Sequence, residues 1–382
     1  MFGNTNCHIP FFSPKSRDHF VLYFIAETFI LSEAYISTSI FFCMSLWLAI
    51  VLFIFLAGFI AFAGTQLTKA ADQLADLTGI GEALVGGVVL GAVTSIPGIV
   101  TSVTAAYQGH PELSVSNAIG GIAAQTVFLA VADIAYSKAN LEHASASFAN
   151  LMQGVLLIIM LSFVLLITST QPLVLWGVHP ASIVLICIYV AGTGLISQAK
   201  KNPMWQPSDT SETVEDTPDD ENLEKINLGR LVTKFIILAA LVGVAGYFVA
   251  DLAIIISDKS GVSESFMGAL FTSVATSLPE LVVSVSAVRQ GAITMSVSNI
   301  IGGNSFDVLF ISFSDIAFQE GSLYHAVSQS QLFIVSLTIL LTSTLLLGLL
   351  HRQKHGIGGV GWESALLILL FLGGYVILYF MG

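Results

Sequence analysis

The sequence contains one stretch twice, at an offset of 182 residues and without a gap. Residues 94–135 lie over residues 276–317, and 20 of the 42 aligned positions are identical. The identity continues upstream at the same offset, at the pairs Gly64/Gly246, Asp76/Asp258, Gly79/Gly261, Glu82/Glu264 and Gly86/Gly268. Two homologous halves have to place corresponding segments at corresponding positions of one fold, so this repeat constrains the architecture more than any other feature.

The composition is that of a chain that lies in a membrane. Hydrophobic residues make up 55% and charged residues 10% of the 382 residues, and the mean hydropathy is +0.85. Apolar stretches of about 20 residues recur along the chain, and a helix of that length crosses the hydrocarbon core. We predict an all-α membrane protein with ten transmembrane helices after Met44, at residues 45–65, 80–108, 114–136, 148–168, 172–197, 231–256, 263–289, 296–317, 328–350 and 361–381.

These spans divide the chain into four segments. Residues 1–43 carry an apolar run of their own, which we interpret as an extra helix, a signal-like leader, or an extension upstream of a working start at Met44. Residues 44–198 are the first membrane repeat and residues 231–382 are the second. Between them, residues 199–230 are acidic and contain proline, which is typical of a solvent-exposed linker. The three cysteines show no metal or redox spacing.

Basic residues between the spans predict how the chain crosses the membrane. The intervals after the first, third, fifth, seventh and ninth spans contain ten of them, and the opposite intervals contain Lys259 alone. Because basic residues concentrate on the cytoplasmic side, we expect the linker 199–230 to be cytoplasmic in a multi-pass protein of the bacterial inner (plasma) membrane. Five spans per half is an odd number, so the two halves are predicted to cross in opposite senses, as an inverted repeat.

Two carboxylates interrupt the apolar runs of the second repeat. Glu280 and Asp307 each follow small polar residues: Thr276, Ser277 and Pro279 precede the first, and Asn304 and Ser305 precede the second. A charge near mid-bilayer is costly, so it usually faces a partner or a wet cavity on an ion or proton path. At about 1.5 Å per helical residue, consecutive spans bring both to a similar depth. We predict that they bind a transported cation together and that protons compete with it; the alternative is a structural pair.

Each repeat also carries a proline in mid-span. Proline removes a backbone N–H and disturbs the preceding turn, which frees carbonyl oxygens for a ligand. The elements shared by the two repeats are the prolines, the hydroxyl residues before them and a later glycine pair: Pro97, Pro279, Thr94, Ser95, Thr276, Ser277, Gly120, Gly121, Gly302 and Gly303. The glycines serve helix packing alone, or they bring backbone to a ligand. Interrupted spans at corresponding positions are typical of secondary transporters built from repeats.

At these residues the sequence resembles the calcium/cation antiporter superfamily, the sodium/calcium exchangers and their relatives. The stretch GALFTSVATSLPELVVSVSA with SNIIGGNSFDVLF looks like the second alpha repeat of that family, and GAVTSIPGIVTSVTAAYQGHPELSVSNAIGG looks like the first. The resemblance implies an inverted five-plus-five helix fold and exchange of calcium or another cation against sodium or protons by alternating access. It implies as ligands Thr276, Ser277, Glu280, Asn304 and Asp307 in the second repeat, but only Thr94 and Ser95 in the first.

The first repeat departs from the family pattern at two ligand positions. Gly98 stands where the glutamate is expected, and Gln125 stands where an asparagine or aspartate is expected. The two remaining carboxylates, both from the second half, carry a charge of −2, which one divalent cation, two monovalent cations or protons can neutralise. Calcium prefers about six to eight oxygen ligands, and this pocket offers fewer than a four-ligand calcium site would. The glycine also leaves room for water or a larger ion.

Three functions remain open at this point. A secondary cation antiporter, with calcium or another cation exchanged against sodium, fits best because carboxylate, hydroxyl, amide and carbonyl oxygens suit hard cations. A cation/proton antiporter and a transport-inactive membrane sensor or scaffold are the alternatives. No motif predicts an enzyme, a bound cofactor or a nucleic-acid partner, and the expected partners are inorganic cations and the lipid bilayer. The sequence leaves the oligomeric state open.

Other charged residues are weaker candidates for the site. Asp133 and Asp315 lie near the ends of spans, where we expect a structural use. His110, His179, His325, His351 and His355 fall in predicted loops or at span edges, where we expect solvation. Glu363 follows Trp362 at the start of the last span and is interpreted as an interfacial anchor.

Overall fold

The structure is a computed structural model that describes residues 44–78, 91–135, 140–145, 147–201, 203–205, 227–290, 293–354, 356 and 361–382. Within these ranges the chain is helical, with turns between the helices and an isolated β-bridge between Leu175 and Val178. The extension 1–43, most of the linker 199–230 and residues 79–90 at the start of the predicted second span lie outside the described residues.

Eleven longer helices carry the architecture of the described part. They are α1 Leu46–Thr78, α2 Ile96–Tyr107, α3 Pro111–Ala135, α4 Phe148–Thr168, α5 Pro180–Lys201, α6 Leu228–Ser260, α7 Ser273–Gln290, α8 Ile293–Asp307, α9 Leu309–Ala317, α10 Gln329–His351 and α11 Trp362–Met381. Short helical pieces lie at Leu141–Ser145, Glu264–Phe266 and Leu323–His325, and a π-helical segment covers Met267–Thr272.

The described residues contain nine stretches long and apolar enough to cross a membrane, and α2 is a shorter apolar helix. The prediction of an all-α membrane protein is therefore confirmed. The count of ten spans and their inverted orientation remain predictions, because the second predicted span begins in the undescribed residues 79–90. The first helix is longer than predicted, since α1 continues from the expected end at residue 65 to Thr78.

Local sequence signals explain several helix ends. At the start of α4, the hydroxyl of Ser147 accepts a hydrogen bond from the backbone N–H of Asn150 at 3.1 Å. At the start of α6, the side chain of Asn227 accepts one from the N–H of Arg230 at 3.2 Å. The end of α6 is Gly261, whose φ of 74° lies in the left-handed region that glycine adopts without strain.

The first long helix of each half packs against the proline of the other half. A Cβ atom on Gly64 of α1 would lie 2.4 Å from Cγ of Pro279, and a Cβ on Gly246 of α6 would lie 2.6 Å from the backbone oxygen of Pro97. The two contacts are equivalent, because Gly64 corresponds to Gly246 and Pro97 corresponds to Pro279 at the offset of 182 residues. Only glycine permits such close approach, so the repeated glycines fix where each half meets the mid-span break of the other.

Two buried aspartates join the halves through backbone N–H groups. Asp133 accepts from Leu141 at 2.7 Å and from Gly361 at 3.2 Å. Asp315, its counterpart, accepts from Leu323 at 2.9 Å and from His179 at 2.8 Å. At the same offset, the donor Leu141 corresponds to Leu323, and the donor His179 corresponds to Gly361. Each aspartate therefore accepts one N–H from its own half and one from the other half.

Both aspartates are fully buried and hold the starts of helices that lie in the other half. The expected structural use of Asp133 and Asp315 is therefore confirmed. His179, whose backbone N–H donates to Asp315, was expected to be solvated. That expectation is wrong, because His179 is 5% exposed.

Candidate cation site

The chain is irregular on both sides of the predicted site in the second half. Before α7 lies the π-helical segment Met267–Thr272, and Pro279 lies inside α7 itself. A Cβ atom on Gly120 of α3 would meet the backbone oxygen of Ala269 at 2.3 Å, so α3 lies directly against this widened turn. Insertions of the π type recur at functional sites, since they re-aim the side chains that follow.

The first half breaks at the corresponding place. Residues 91–94 are helical, Ser95 forms a turn, and α2 begins at Ile96 with Pro97 in its first turn. A proline is tolerated there, because the first N–H groups of a helix have no intrahelical partner. The hydroxyl of Ser95 does not cap this helix. It points instead at the carboxylate of Asp307 in the other half.

The centre of the site is a set of hydrogen bonds between equivalent positions of the two halves. Ser95 donates from Oγ to Oδ1 of Asp307 at 2.5 Å, and Gln125 donates from Nε2 to Oδ2 of Asp307 at 2.8 Å. The same amide donates to Oγ of Ser277 at 3.2 Å. Gln125 and Asp307 correspond at the 182-residue offset, as do Ser95 and Ser277. The two halves therefore meet at this point, and each oxygen of Asp307 already accepts from a neutral donor.

Glu280 has a different environment. Its side chain is 5% exposed, and within the described part of the chain its Oε2 atom has no hydrogen-bond partner. Thr94 lies beside the carboxylate, and the charge of Asp307 acts on it from within the same cavity. Of the two buried carboxylates, Glu280 is thus the one with oxygen left free for a ligand.

A small cavity of about 10 Å³ lies between these groups, which is about the size that one water molecule or a small ion requires. Its walls come from both halves: Ser95, Gly98, Asn117, Gly121, Gln125, Thr276, Ser277, Glu280, Asp307 and Phe310. Six of the predicted site residues other than the carboxylates are therefore brought together with Glu280 and Asp307.

The expectation that Gly98 leaves open room is wrong. A Cβ atom on Gly98 would lie 2.8 Å from Cε2 of Phe310, so the ring occupies the space beside the glycine. Phe310 is 4% exposed and lies in α9, directly after the break that follows Asp307. The place of the expected glutamate is filled by an aromatic ring, which keeps water and further ligands away from this wall.

Other predicted residues lie near the cavity without lining it. Asn304 donates to Oγ1 of Thr126 at 3.1 Å, and Ser305 donates to the backbone oxygen of Ile301 at 3.1 Å. The remaining positions serve close packing: Gly302 lies against Gln153, Gly303 lies against Gly91, and the two prolines lie against Gly64 and Gly246.

Sequence reasoning missed Asn117 as a wall of the cavity. Its amide donates to the backbone oxygen of Gly98 at 3.2 Å and to Oγ of Ser102 at 2.8 Å. Its Oδ1 atom is buried and has no partner in the described residues. The signal that could have found it is the identity of Asn117 and Asn299 in the repeat, because a polar amide retained in an apolar span needs a partner.

The arrangement suits a small hard cation. Two carboxylates, two serine hydroxyls and the unpartnered amide oxygens of Asn117 and Gln125 offer oxygen ligands in a buried space. Among the described residues, no group of three or more His, Cys, Asp or Glu side chains lies together. Glu280 and Asp307 are the two residues able to neutralise a bound ion.

Comparison with known proteins finds relatives of both halves of the chain. A family model described as sodium/calcium exchanger protein matches residues 48–197 and 231–381. The sodium/calcium exchanger MaX1 of Methanosarcina acetivorans is 31% identical over 143 residues, which are 37% of this chain and 39% of that protein. The putative antiporter CaxA of Alkalimonas amylolytica is 23% identical over 312 residues, which are 81% of this chain and 92% of that protein.

Solved structures share the fold. The sodium-calcium exchanger NCX_Mj, soaked with Na⁺ and Sr²⁺, superposes with a TM-score of 0.56 at 18% identity, over 87% of this chain and 99% of that chain. YfkE superposes with a TM-score of 0.57 at 14% identity, over 86% of this chain and 92% of that chain. The chain is thus an integral, multi-pass membrane protein. Since the family model covers both halves, the chain belongs to the family of sodium/calcium exchanger proteins, which are membrane cation antiporters and not enzymes.

Proposed function

We propose that this protein is a secondary active antiporter that exchanges Ca²⁺ against Na⁺ by alternating access. The transported ion binds between Glu280 and Asp307, in the cavity where the two halves meet. Ser95 and Gln125 orient Asp307 through their hydrogen bonds, Ser277 accepts from Gln125, and the oxygens of these three residues complete the shell. The relatives named as exchangers of sodium and calcium support this choice of ions.

The observation that carries the proposal is the free oxygen of Glu280. An ionised carboxylate without a partner is costly in a buried place, so a buried Glu280 needs a cation or a proton. Asp307, by contrast, has a neutral donor on each oxygen, and its charge is still uncompensated. One divalent or two monovalent cations would neutralise the pair, which matches an exchange of calcium for sodium at a single place.

Exchange of the cation against protons is the second candidate, and the small cavity favours it. A volume of about 10 Å³ holds one small ion at a time, and Phe310 closes the wall where a further carboxylate would add ligands. Protons on Glu280 and Asp307 neutralise the same two charges without any additional space. In this case the two carboxylates alternate between holding a metal ion and holding protons.

Flux measurements in proteoliposomes distinguish these candidates. Protein is reconstituted, and calcium uptake is followed with sodium, potassium and pH gradients imposed one at a time. Uptake driven by an opposing sodium gradient supports the leading proposal, and uptake driven by a pH gradient alone supports the second. Absence of flux under every gradient would identify a transport-inactive member of the family.

Neutral variants locate the transported ion. Glu280→Gln and Asp307→Asn should each abolish flux while the protein stays folded, because each removes one of the two charges. The matched control is Asp258→Asn, which neutralises an exposed carboxylate away from the cavity and should transport normally. Wild-type rates in both neutral variants would place the transport site elsewhere.

A further inference from the structure

A second buried carboxylate cluster lies away from the cavity, at the start of α11. Glu363 is fully buried, and both of its carboxylate oxygens lack a hydrogen-bond partner in the described part of the chain. It is enclosed by two glycines: a Cβ on Gly348 would lie 2.6 Å from Cγ of Glu363, and a Cβ on Gly361 would lie 2.5 Å from its Oε1 atom. The expectation that Glu363 is an interfacial anchor is therefore wrong, because an anchor faces lipid headgroups and water.

Further oxygen-bearing side chains converge on the same place. The point where Gly361 would carry a Cβ lies 3.3 Å from Nδ2 of Asn140, and the N–H of Gly361 donates to Oδ2 of Asp133. Asn140 is 1% exposed, and both atoms of its amide lack partners. Ser364, next to Glu363, is also fully buried with an unpartnered hydroxyl. Buried polar atoms without partners are rare in native structures, and several in one place indicate an absent ligand.

The other half of the molecule provides an internal comparison. At the 182-residue offset, Asp315 corresponds to Asp133, Ser182 to Ser364 and Ala181 to Glu363. There the serine is satisfied, because Ser182 donates from Oγ to Oδ2 of Asp315 at 2.7 Å and lies 3.1 Å from the hydroxyl of Tyr324. In the half with Ala181 the serine hydroxyl has hydrogen-bond partners, and in the half with Glu363 the equivalent hydroxyl of Ser364 has none in the described residues.

We infer that Asp133, Asn140 and Glu363 form a second site for a hard metal cation, distinct from the transport cavity. The carboxylate of Glu363 and the amide oxygen of Asn140 provide free oxygens, and each oxygen of Asp133 accepts one N–H and keeps capacity for a further ligand. A bound cation neutralises Glu363 and ties the start of α11 to the end of α3.

Thermal unfolding in detergent tests this site without relying on transport. The background is the double variant Glu280→Gln/Asp307→Asn, in which the cavity site has lost both charges. Its melting temperature is measured while CaCl₂ or NaCl is titrated against choline chloride at constant ionic strength. We expect one of the two metal cations to raise the melting temperature and choline to leave it unchanged.

Added substitutions assign the effect to the cluster. Glu363→Gln keeps the shape of the side chain and should abolish the cation-dependent rise, and Asn140→Ser should move its midpoint to at least several-fold higher concentration. Asp315→Asn is the matched control, since it replaces one of the two accepting oxygens of the equivalent aspartate in the other half and should retain the rise. Size-exclusion profiles check that each variant is folded.

Two results would overturn the inference. A double variant whose melting temperature responds to neither metal cation would show that the cluster around Glu363 binds neither of them. A rise that persists in Glu363→Gln would place the bound cation elsewhere. Because the background cannot use the cavity site, failure here leaves the proposed exchange function standing, and failure of the flux experiment leaves this site standing.

Discussion

Replacing Gln125 with glutamate turns the central hydrogen bond of the site into a contact between two carboxylates. The Nε2 atom of Gln125 lies 2.8 Å from Oδ2 of Asp307, and Gln125→Glu puts an oxygen at that place. At an effective dielectric constant of about 20, two unit charges at this distance repel by about 6 kcal/mol. In the absence of a cation, that repulsion acts on the folded state and is absent from the unfolded chain.

Protonation of one carboxylate limits the loss of folding stability, and the size of this limit depends on pH. Protonating a glutamate costs about 1.4 kcal/mol for each pH unit above its ordinary titration midpoint of about 4.3. The loss of stability is therefore about 2 kcal/mol at pH 5.5, where a proton is readily taken up, and about 6 kcal/mol at pH 8.5. The folded variant binds more protons than the unfolded chain, so its stability falls as the pH rises. A bound divalent cation removes most of the penalty.

The assay is thermal unfolding of wild type and variant at both pH values, with and without calcium. The matched control is Gln108→Glu, since the exposed Gln108 donates to Oδ1 of the half-buried Asp251 at 2.7 Å. Water and salt reach this pair, so the repulsion between the two carboxylates is smaller there than in the cavity. An alkaline, calcium-free melting temperature of Gln125→Glu equal to that of wild type would refute the placement of Gln125 against Asp307 in a dry site.

Two further predictions concern contacts outside the cavity. Gly64→Ala and Gly246→Ala should each destabilise the protein by at least about 1–3 kcal/mol in chemical unfolding, because each added methyl group overlaps the proline of the other half. The control Gly58→Ala, with open space around it, should be neutral. Equal stability of all three variants would contradict the observed packing. The hydrogen bond from His110 to Glu264 raises the pKa of that histidine, so its contribution to stability is present at acidic pH and is lost as the pH rises through the raised pKa. Glu264→Gln should lower the melting temperature at pH 5.5 and leave it unchanged at pH 9, and a deficit of the same size at both values would exclude this titration as its cause.

Much of the candidate cation site could be predicted from the sequence, because the repeat shows which residues of the two halves are equivalent. Glu280 and Asp307 were expected at a similar depth, and the predicted inverted arrangement relates equivalent positions of the two halves by one axis, near which they can meet. The contact between Gln125 and Asp307, which are equivalent residues, follows from that rule. Polar residues in apolar spans are informative for the same reason, since few places in a membrane protein accept them.

What the sequence did not predict depends on which face of a helix meets which neighbour. Phe310 is one of many aromatic residues in apolar runs, and nothing in its spacing says that its ring lies beside Gly98. Glu363 stands next to a tryptophan at a span start, which is also the position of an ordinary interfacial residue. Hydropathy cannot distinguish the lipid-facing side of such a helix from the side that faces the protein, so its burial is visible only once α10 and α11 are packed.

The origin of the two carboxylates has a consequence for how the halves move. Both negative charges of the cavity belong to the second half, on α7 and α8, and the first half contributes hydroxyl and amide groups from Ser95, Asn117 and Gln125. In the proposed exchange, a bound ion therefore stays with the second half, which holds both carboxylates. Separation of the halves then breaks bonds to neutral dipoles of the first half, which are weaker than bonds to a carboxylate. Under that proposal the first half covers and uncovers a cation that the second half keeps in place.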